Sequence, residues 1–265
     1  MGKYFTPNSL KNCAIEGRIV DYGLIVDVET TGLNPAQDKI LEVGLVEFRI
    51  DSGGVPQITS MYSGLEDPGV PISPEISRLT GLTDDSVRGE VIDWNVVRKH
   101  WERASVLIAH NAEFDRDFLV RRPELQGPLK HWACSIRHID WRGKHFGSLK
   151  LQYLAADHGF ANPFAHRAMF DCATTFRLIA PHLTELMERS FEPEYEIFAL
   201  GSPFETKDIL KQRGYRWDAE QRVWRRRVGA RDLGSEREFL ATEVYKGQPR
   251  HREDEIYFNP RSGSH

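Results

Sequence analysis

Apolar runs bounded by turn-forming residues fill the first quarter of the chain, and this pattern is typical of β-strands. Gly23 to Val28 is apolar and β-branched, as a buried strand requires, and the predicted strand reaches back to Arg18. Two further apolar runs follow at 39–50 and 57–63, and the turn formers at 51–54 favour a hairpin between them. This part of the chain therefore predicts three neighbouring strands in an antiparallel meander.

Beyond residue 70, helical spacings alternate with short apolar runs. Ser73 and Pro74 are typical of a helix N-cap and a first helical position. Further predicted elements are helices over 93–103, 113–122, 148–155 and 165–187, the last bent or broken at Pro181, and short strands over 105–109 and 133–135. Strands followed by alternating helices and strands predict an α/β fold, a mixed sheet with helices on both faces.

The length of 265 residues suits one medium domain and one small one. A Pro-containing stretch at 190–194 is the best linker, which predicts one domain over 1–189 and a small α+β unit over 195–258. The lead-in over 1–18 and the Ser/Gly-rich tail over 260–265 are expected to be loosely held.

Composition narrows the class of protein. With 40% hydrophobic and 28% charged residues, the chain is typical of a soluble globular protein, and no apolar run has membrane-spanning length. Three widely spaced cysteines indicate neither a disulfide framework nor a zinc site, so a cytoplasmic location is expected. The sequence contains no phosphate loop, no Gly-x-Ser-x-Gly elbow and no Cys-x-x-Cys pair. The net charge of −4 is compatible with a nucleic-acid enzyme if basic residues cluster locally and the excess acid sits in a metal site.

Two carboxylates interrupt the first strand where it should be most apolar. Asp27 and Glu29 are two apart, so in a strand they point to the same face. Two like charges on one buried face are costly unless a cation lies between them, and oxygen ligands favour magnesium or manganese. The alternative is a pair of solvent-facing acids on an edge strand.

Two more acids have unusual surroundings. Asp115 follows the buried strand 105–109, where an α/β fold places functional groups, although Asn111 and Asp115 could simply favour the start of a helix. His166 precedes Asp171 by five residues, which predicts a loop histidine facing the same cavity as Asp171. A capping or surface role for His166 is the alternative.

Together these motifs resemble the DEDDh family of 3′–5′ exonucleases, which contains bacterial proofreading subunits, ribonuclease T and oligoribonuclease. The resemblance covers residues 18–187 and rests on Asp-x-Glu at 27–29, His-Asn-x-x-Phe-Asp at 110–115 and His-x-x-x-x-Asp at 166–171. It also extends to Pro-Glu-Ile-Ser-Arg-Leu-Thr-Gly-Leu-Thr-Asp at 74–84. It implies a ribonuclease H-like fold.

The carboxylates and the resemblance together imply two-metal chemistry. Four negative charges, on Asp27, Glu29, Asp115 and Asp171, would balance two Mg²⁺ ions, with Mn²⁺ as a substitute. By resemblance, Asp27 bridges both ions. His166 is the expected general base, since histidine titrates nearest to neutral pH. The expected product is a 5′-mononucleotide released from a 3′ end.

The resemblance further implies which residues contact the substrate. Thr30 and Thr31 are expected at the terminal nucleotide, with Leu33 against its base, and His110 and Asn111 in the same pocket. Ordinary core packing is the alternative for Leu33. The expected partner is nucleic acid with a free 3′ end, mainly single-stranded DNA, with trimming of RNA 3′ ends as the alternative. A polymerase-bound or repair-complex accessory role and a homodimer stay open.

The C-terminal unit carries a basic segment. Residues 207–231 hold nine Lys and Arg against three acids, and they predict a helix ending before Gly214 and then a hairpin. Basic residues interleaved with aromatic ones suit a single-strand platform with phosphates on arginines. Core positions for Trp217 and Trp224 are favoured over base stacking. The unit over 195–258 is thus expected to bind nucleic acid or a partner protein.

Overall fold

The computed structural model describes residues 22–50 and 54–259. The chain forms two compact units that divide between Ser190 and Phe191. Each unit has its own sheet and its own hydrophobic core, and each is described separately below.

The first unit is built on a five-stranded sheet with the order β3-β2-β1-β4-β5. Its strands are β1 (Tyr22–Thr30), β2 (Ile40–Ile50), β3 (Pro56–Leu65), β4 (Val106–Ala109) and β5 (Trp132–Cys134). The first three form the antiparallel meander that the sequence predicts, and β4 and β5 run parallel to β1. The central strand β1 is therefore paired on both sides, which excludes an edge-strand position for its two acids.

Helices follow the strands in the predicted alternation. They are α1 (Pro74–Thr80), α2 (Asp84–Val87), α3 (Trp94–Arg103), α4 (Ala112–Leu119), α5 (Leu151–Asp157), α6 (Ala168–Ile179) and α7 (Leu183–Phe191). The predicted cap of α1 is confirmed, because the Ser73 side chain accepts a hydrogen bond from the Ile76 N–H at 3.2 Å. The α/β fold class is thus as the sequence predicts.

The helix predicted over 165–187 starts later than expected, and its expected break at Pro181 is confirmed. It begins at Ala168, because His166 has a left-handed backbone with φ of 61° and Arg167 is extended. A 3₁₀ turn at Ala180–His182 then separates α6 from α7, at the proline that was expected to break the helix. The predicted linker is also too long, since α7 continues to Phe191 and the next strand begins at Glu194.

A close contact between α6 and β2 brings the helix onto the sheet. A Cβ atom at Gly44 would lie 2.2 Å from the backbone carbon of Ala168 and 2.3 Å from the amide nitrogen of Met169. Only glycine fits there. Gly44 is the register partner of Asp27, so the start of α6 lies directly beside the acidic part of β1.

The second unit has a four-stranded antiparallel sheet with the order β7-β8-β6-β9. Its elements are β6 (Glu194–Ala199), α8 (Lys207–Arg213), β7 (Arg216–Asp218), β8 (Val223–Gly229), α9 (Leu233–Phe239), a π-helical turn (Leu240–Val244) and β9 (His251–Ile256). The helix ending before Gly214 and the hairpin are confirmed. Leu210 and Tyr215 belong to a core cluster of the unit that β6 and β8 also line.

Several expectations lie outside the described residues. They are the lead-in over 1–18, the start of the first predicted strand, most of the turn at 51–54 and the tail over 260–265. Within the described part, no helix has both the length and the apolar character needed to cross a membrane.

Candidate active site

The end of β1 presents two acids on one face. Asp27 and Glu29 are each partly exposed, whereas Val28 between them is buried on the other face. The backbone of β1 pairs with β4 from Gly23 to Ile25. Beyond that point the Val28 N–H donates to Oδ1 of Asp115 at 3.0 Å. Asp115 is 2% exposed on α4, so this hydrogen bond fixes a third carboxylate beside the strand.

The fourth carboxylate, Asp171, comes from α6. It is 5% exposed, and both its oxygens accept hydrogen bonds. Oδ1 accepts from the side-chain amides of Gln152 at 3.0 Å and Asn162 at 2.9 Å, and Oδ2 accepts from the His166 N–H at 2.8 Å. Three donors from three segments therefore hold this carboxylate in one orientation.

The histidine of the site lies on the loop before α6. His166 is exposed, and its ring offers a ligand atom to the same small space as Glu29 and Asp171. These three atoms lie within 4.8 Å of one another. The loop position expected for His166 is what the structure shows, and its left-handed backbone is what directs its N–H at Asp171.

Burial and mutual repulsion raise the pKa values of the acids. Burial, followed by the charges of Asp115 and Glu29, holds the pKa of Asp27 well above its ordinary value. Burial raises the pKa of Glu29 to about 8, with the Asp171 charge as the next cause, and burial also raises that of Asp115 to about 8. The pKa of Asp171 is raised by burial, against the opposing effect of its hydrogen bonds. The cluster thus behaves as a set of carboxylates that lacks positive charge.

One ionic contact beside the cluster was not predicted from sequence. Glu42 is 1% exposed on β2 and is the register partner of Glu29. Its carboxylate accepts from the Arg167 guanidinium at 2.9 and 3.3 Å and from the Ser63 hydroxyl at 2.9 Å. Because Arg167 follows His166, this ion pair anchors the histidine loop to the sheet. Two features of the sequence could have indicated this ion pair: an acid inside an apolar strand, and an arginine next to the motif histidine.

The turn after Glu29 is held by its own side chains. The Thr30 hydroxyl donates to the Gly32 carbonyl at 2.6 Å, and the Thr31 hydroxyl donates to Asp38 at 3.2 Å. Both hydroxyls are thus used within the turn. Leu33 is 84% exposed at its tip, so the core-packing alternative for Leu33 is wrong.

The two remaining candidate substrate-binding residues, His110 and Asn111, differ in how their side chains are engaged. Both ring nitrogens of His110 are engaged, Nδ1 with the Ser135 hydroxyl at 2.6 Å and Nε2 with the Leu149 carbonyl at 2.8 Å. Burial lowers the pKa of His110 to about 4, so its ring is neutral and joins two loops. Asn111 has a left-handed backbone with φ of 73° and makes no side-chain capping hydrogen bond, which removes the helix-cap alternative for it.

The donor set fits a divalent cation. Four carboxyl groups and one imidazole meet, and hard oxygen ligands suit Mg²⁺ or Mn²⁺. Arg167 is the cation that lowers the pKa of Glu29, but its guanidinium is shared with the buried Glu42. Among the described residues the acids therefore outnumber the cations at this point, and a bound metal would supply the missing charge.

A mixed sheet that gathers carboxylates at the end of its central strand fits a nuclease-type hydrolase. The comparison with protein families agrees with this class. The family model described as "RNase_T: Exonuclease" matches residues 24–179, more than half of the chain. The chain belongs to this exonuclease family.

Curated relatives carry the same domain in DNA polymerases. The DNA polymerase III PolC-type of Listeria monocytogenes is 33% identical over 156 residues, which cover 57% of this chain and 10% of that protein. The DNA polymerase III subunit epsilon of Treponema pallidum is 33% identical over 168 residues, which cover 59% of this chain and 75% of that protein. The chain thus spans about a tenth of the PolC-type relatives and most of the epsilon subunit.

A solved structure supports the fold. The zinc-bound form of the E. coli ExoI–ssDNA complex matches with a TM-score of 0.51 at 15% identity, over 68% of this chain and 48% of that one. At this identity the likeness concerns the fold alone.

Proposed function

We propose that the first unit is a metal-dependent 3′–5′ exonuclease that releases 5′-mononucleotides, with single-stranded DNA as the favoured substrate. The observation that supports this most is the meeting of Asp27, Glu29, Asp115 and Asp171 with His166 at the end of β1, in a chain of the exonuclease family. Hydrolysis of a phosphodiester needs charge neutralisation and an activated water, and these groups suit both tasks.

The four carboxylates would hold the metal. When bound, two divalent ions activate the attacking water and stabilise the leaving 3′-oxygen. Asp115 and Asp171 are pre-oriented for this task by hydrogen bonds from Val28 and from Gln152, Asn162 and His166. Asp27 lies among the other acids, which suits the bridging role expected from the resemblance.

His166 would take the proton of the water. Its side chain is exposed to solvent, as a base that exchanges its proton after each cycle must be. Its backbone is held by Asp171, and its neighbour Arg167 is held by Glu42. The ring can thus lie near the metal ligands while staying free to exchange protons.

The turn over 30–38 would receive the terminal nucleotide. Because its two threonine hydroxyls bond within the turn, Thr30 and Thr31 would contribute mainly a rigid shape. Leu33 projects into solvent beside the acids, which suits contact with a base. His110 would act from a distance by fixing the loop at Leu149, and Asn111 has a side chain available for the nucleotide.

The test is degradation of matched single-stranded oligonucleotides labelled at the 3′ or the 5′ end, in Mg²⁺, Mn²⁺ or EDTA. The proposal predicts that the 3′ label appears at once as a mononucleotide and that the 5′-labelled strand shortens stepwise, with no reaction in EDTA. Shortening from the 5′ end or cleavage in EDTA would overturn it.

The same assay separates the substrate classes. Running DNA and RNA strands of one sequence side by side shows which sugar the pocket accepts, since the 2′-hydroxyl is read by local geometry. A folded chain without activity on either polymer would move the weight to an accessory role in a polymerase or repair complex.

A further inference from the structure

The arginines of β8 do not form the phosphate platform that the basic segment suggests. Arg225 contacts Glu196 at 3.2 Å and Asp218 at 3.3 Å, and Arg227 contacts Glu196 at 3.5 Å. The Arg226 guanidinium lies 2.6 Å from the buried Glu236. Each of these guanidinium groups lies against an acid of the same unit, so these three arginines are engaged within the unit.

Two lysines on α8 are different. Among the described residues, no carboxylate lies within ion-pair distance of Lys207 or Lys211. On a helix these lysines lie roughly 120° and 160° around the axis from Arg213. Arg213 reaches Glu236 of α9, so the two lysines occupy the flank of α8 away from α9. Arg237 of α9 pairs with Glu253 of β9, the strand at the opposite edge of the sheet from β7, so the flank of α8 away from α9 faces the β7 edge.

Exposed aromatic rings occur on the same side of the unit. Trp217 and Trp224 are register partners and therefore share a face, and Trp224 packs against the core that contains Leu210 of α8. Trp217 is 50% exposed and meets Trp224 edge-on, with ring centroids 5.5 Å apart. The prediction of a core position for Trp217 is thus wrong, whereas Trp224 is partly buried against the core.

A second ring extends this surface at the start of α8. Phe204 is 75% exposed, and the Lys207 ammonium lies 4.2 Å from its ring centroid. Phe204 follows β6 by a short loop, and the last residue of β6, Ala199, is the register partner of Trp224. The loop therefore leaves the sheet in the row that contains both tryptophans.

We propose that Phe204, Lys207, Lys211 and Trp217, here called the β7-edge surface, bind single-stranded nucleic acid away from its ends. Bases would stack on the exposed rings, and phosphates would lie against the lysines. The site is separate from the carboxylate cluster, because it belongs to the second compact unit. This proposal rests on the proposed function in one respect: the surface would bind the same class of polymer that the first unit degrades.

The chemistry of the surface favours a nucleic acid over an apolar helix. A docking groove for an apolar helix needs several aliphatic side chains in a row, whereas the four residues here are two aromatic rings and two lysines. A half-exposed indole offers a flat apolar face on which a base can stack, and every nucleobase has such a face.

The test uses the full chain in EDTA with a circular, fluorescein-labelled single-stranded oligonucleotide, which offers no 3′ end to the carboxylate cluster. Fluorescence anisotropy gives the Kd for wild type, Trp217→Ala, Trp217→Phe and the double variant Lys207→Glu/Lys211→Glu. Circles of DNA and of RNA distinguish the two polymers.

The proposal predicts that Trp217→Ala weakens binding about tenfold and that Trp217→Phe retains most of it, because a ring still stacks. The double variant should weaken binding and lower the slope of log Kd against log salt by about 1.4, or about 0.7 for each lost phosphate contact. Lys246→Glu makes the same exchange once, at another exposed position of the unit, with half the charge change of the double variant; it is the control and should stay within about twofold of wild type.

Two results would overturn the proposal. One is wild-type affinity in both Trp217→Ala and the double variant, which would leave the β7-edge surface to a protein partner. The other is binding to linear strands with none to circles, which would place all affinity at the ends. That second result leaves the proposed exonuclease intact, so the two proposals fail separately.

Discussion

The acids of the two units have opposite electrostatic surroundings. In the second unit, Glu236 is 1% exposed and lies within 3.1 Å of Arg213 and 2.6 Å of Arg226. In the first unit, Asp27 is raised in pKa by burial and by four other acids, and no cation is among the causes that act on it. An acid buried for structure comes with its counter-charge, whereas an acid buried to bind a metal lacks it until the metal is bound.

Glu42 links these two cases. It lies next to Glu29 in the sheet, yet it is paired with Arg167, as a structural acid is. Two neighbouring acids of the sheet therefore differ in the same way as the two units. Glu42 has a counter-charge and holds the histidine loop, whereas Glu29 belongs to the acids that would hold a metal.

The largest expected effect is on hydrolysis. Asp27→Asn or Asp171→Ala should lower the rate at least about a thousandfold, or about 4 kcal/mol of transition-state stabilisation, because metal binding is lost. The substituted chains should stay folded. The measurement is release of 3′-labelled nucleotide under saturating Mg²⁺, with circular dichroism as the control for folding, and normal turnover by either pure variant would contradict the assignment.

The second effect concerns the proposed base. His166→Ala should lower the rate about 10²- to 10⁴-fold, the range that general-base catalysis contributes, and should flatten the rise of the rate with pH. His145→Ala, at another left-handed histidine of the same unit, is a matched control and should behave as wild type. A wild-type pH–rate profile in His166→Ala would remove this residue from the role.

The third effect is on the free energy of unfolding, and it has opposite signs in the two units. Glu236→Gln should lower the free energy of unfolding by about 2–3 kcal/mol, below the value for a fully buried pair because Arg213 and Arg226 are 37% and 22% exposed. Asp27→Asn should instead stabilise the metal-free chain as pH rises above 3.8, the ordinary pKa of its carboxyl, because a repelled charge is removed. Urea denaturation in EDTA measures both, and a loss of stability in Asp27→Asn near pH 8 would break the contrast.

The smallest effect tests the orientation of Asp171. Asn162→Ala removes one of its three donors and should cost about 1 kcal/mol, seen as a roughly fivefold rise in the Mg²⁺ concentration needed for half-maximal rate. Gln152→Ala should match it, since its amide reaches the same oxygen. An unchanged Mg²⁺ dependence in both variants would show that the carboxylate needs no such support.

Local pattern was enough for the meander, the α/β alternation and the acidic motifs. These depend on periodicity within a strand or helix and on short spacings, as with Asp27 and Glu29. The start of α6 was predicted too early because the left-handed backbone of His166 is not encoded in hydropathy. A positive φ at a non-glycine residue is uncommon, and here it accompanies the hydrogen bond from the His166 N–H to Asp171.

Contacts between residues that are far apart in the sequence could not be predicted from local pattern. Glu42 and Arg167 are 125 positions apart, and their contact depends on the Gly44 approach that folds α6 onto β2. The basic segment is only partly a surplus of charge for a similar reason, because Glu196 and Glu236, which pair with Arg225 to Arg227, lie outside the segment 207–231. Trp217 was expected in the core because an edge strand cannot be told from a central one by its own residues.

The most direct test of the central claim is calorimetric titration of Mg²⁺ into the full chain near pH 7, in two buffers of different ionisation enthalpy. Glu29 and Asp115 have pKa values raised to about 8, so the folded metal-free chain holds protons that the unfolded chain has released. Its stability should therefore fall as pH rises from about 4 through about 8, and metal binding should release protons and restore it.

The account predicts Mg²⁺ binding with proton release in wild type and in Glu236→Gln, and weak or no binding in Asp27→Asn. It also predicts that Mg²⁺ at about a hundred times its Kd raises the free energy of unfolding by about 2.7 kcal/mol. Mg²⁺ binding without proton release, or equal binding by Asp27→Asn, would contradict the claim that these uncompensated carboxylates form the metal site.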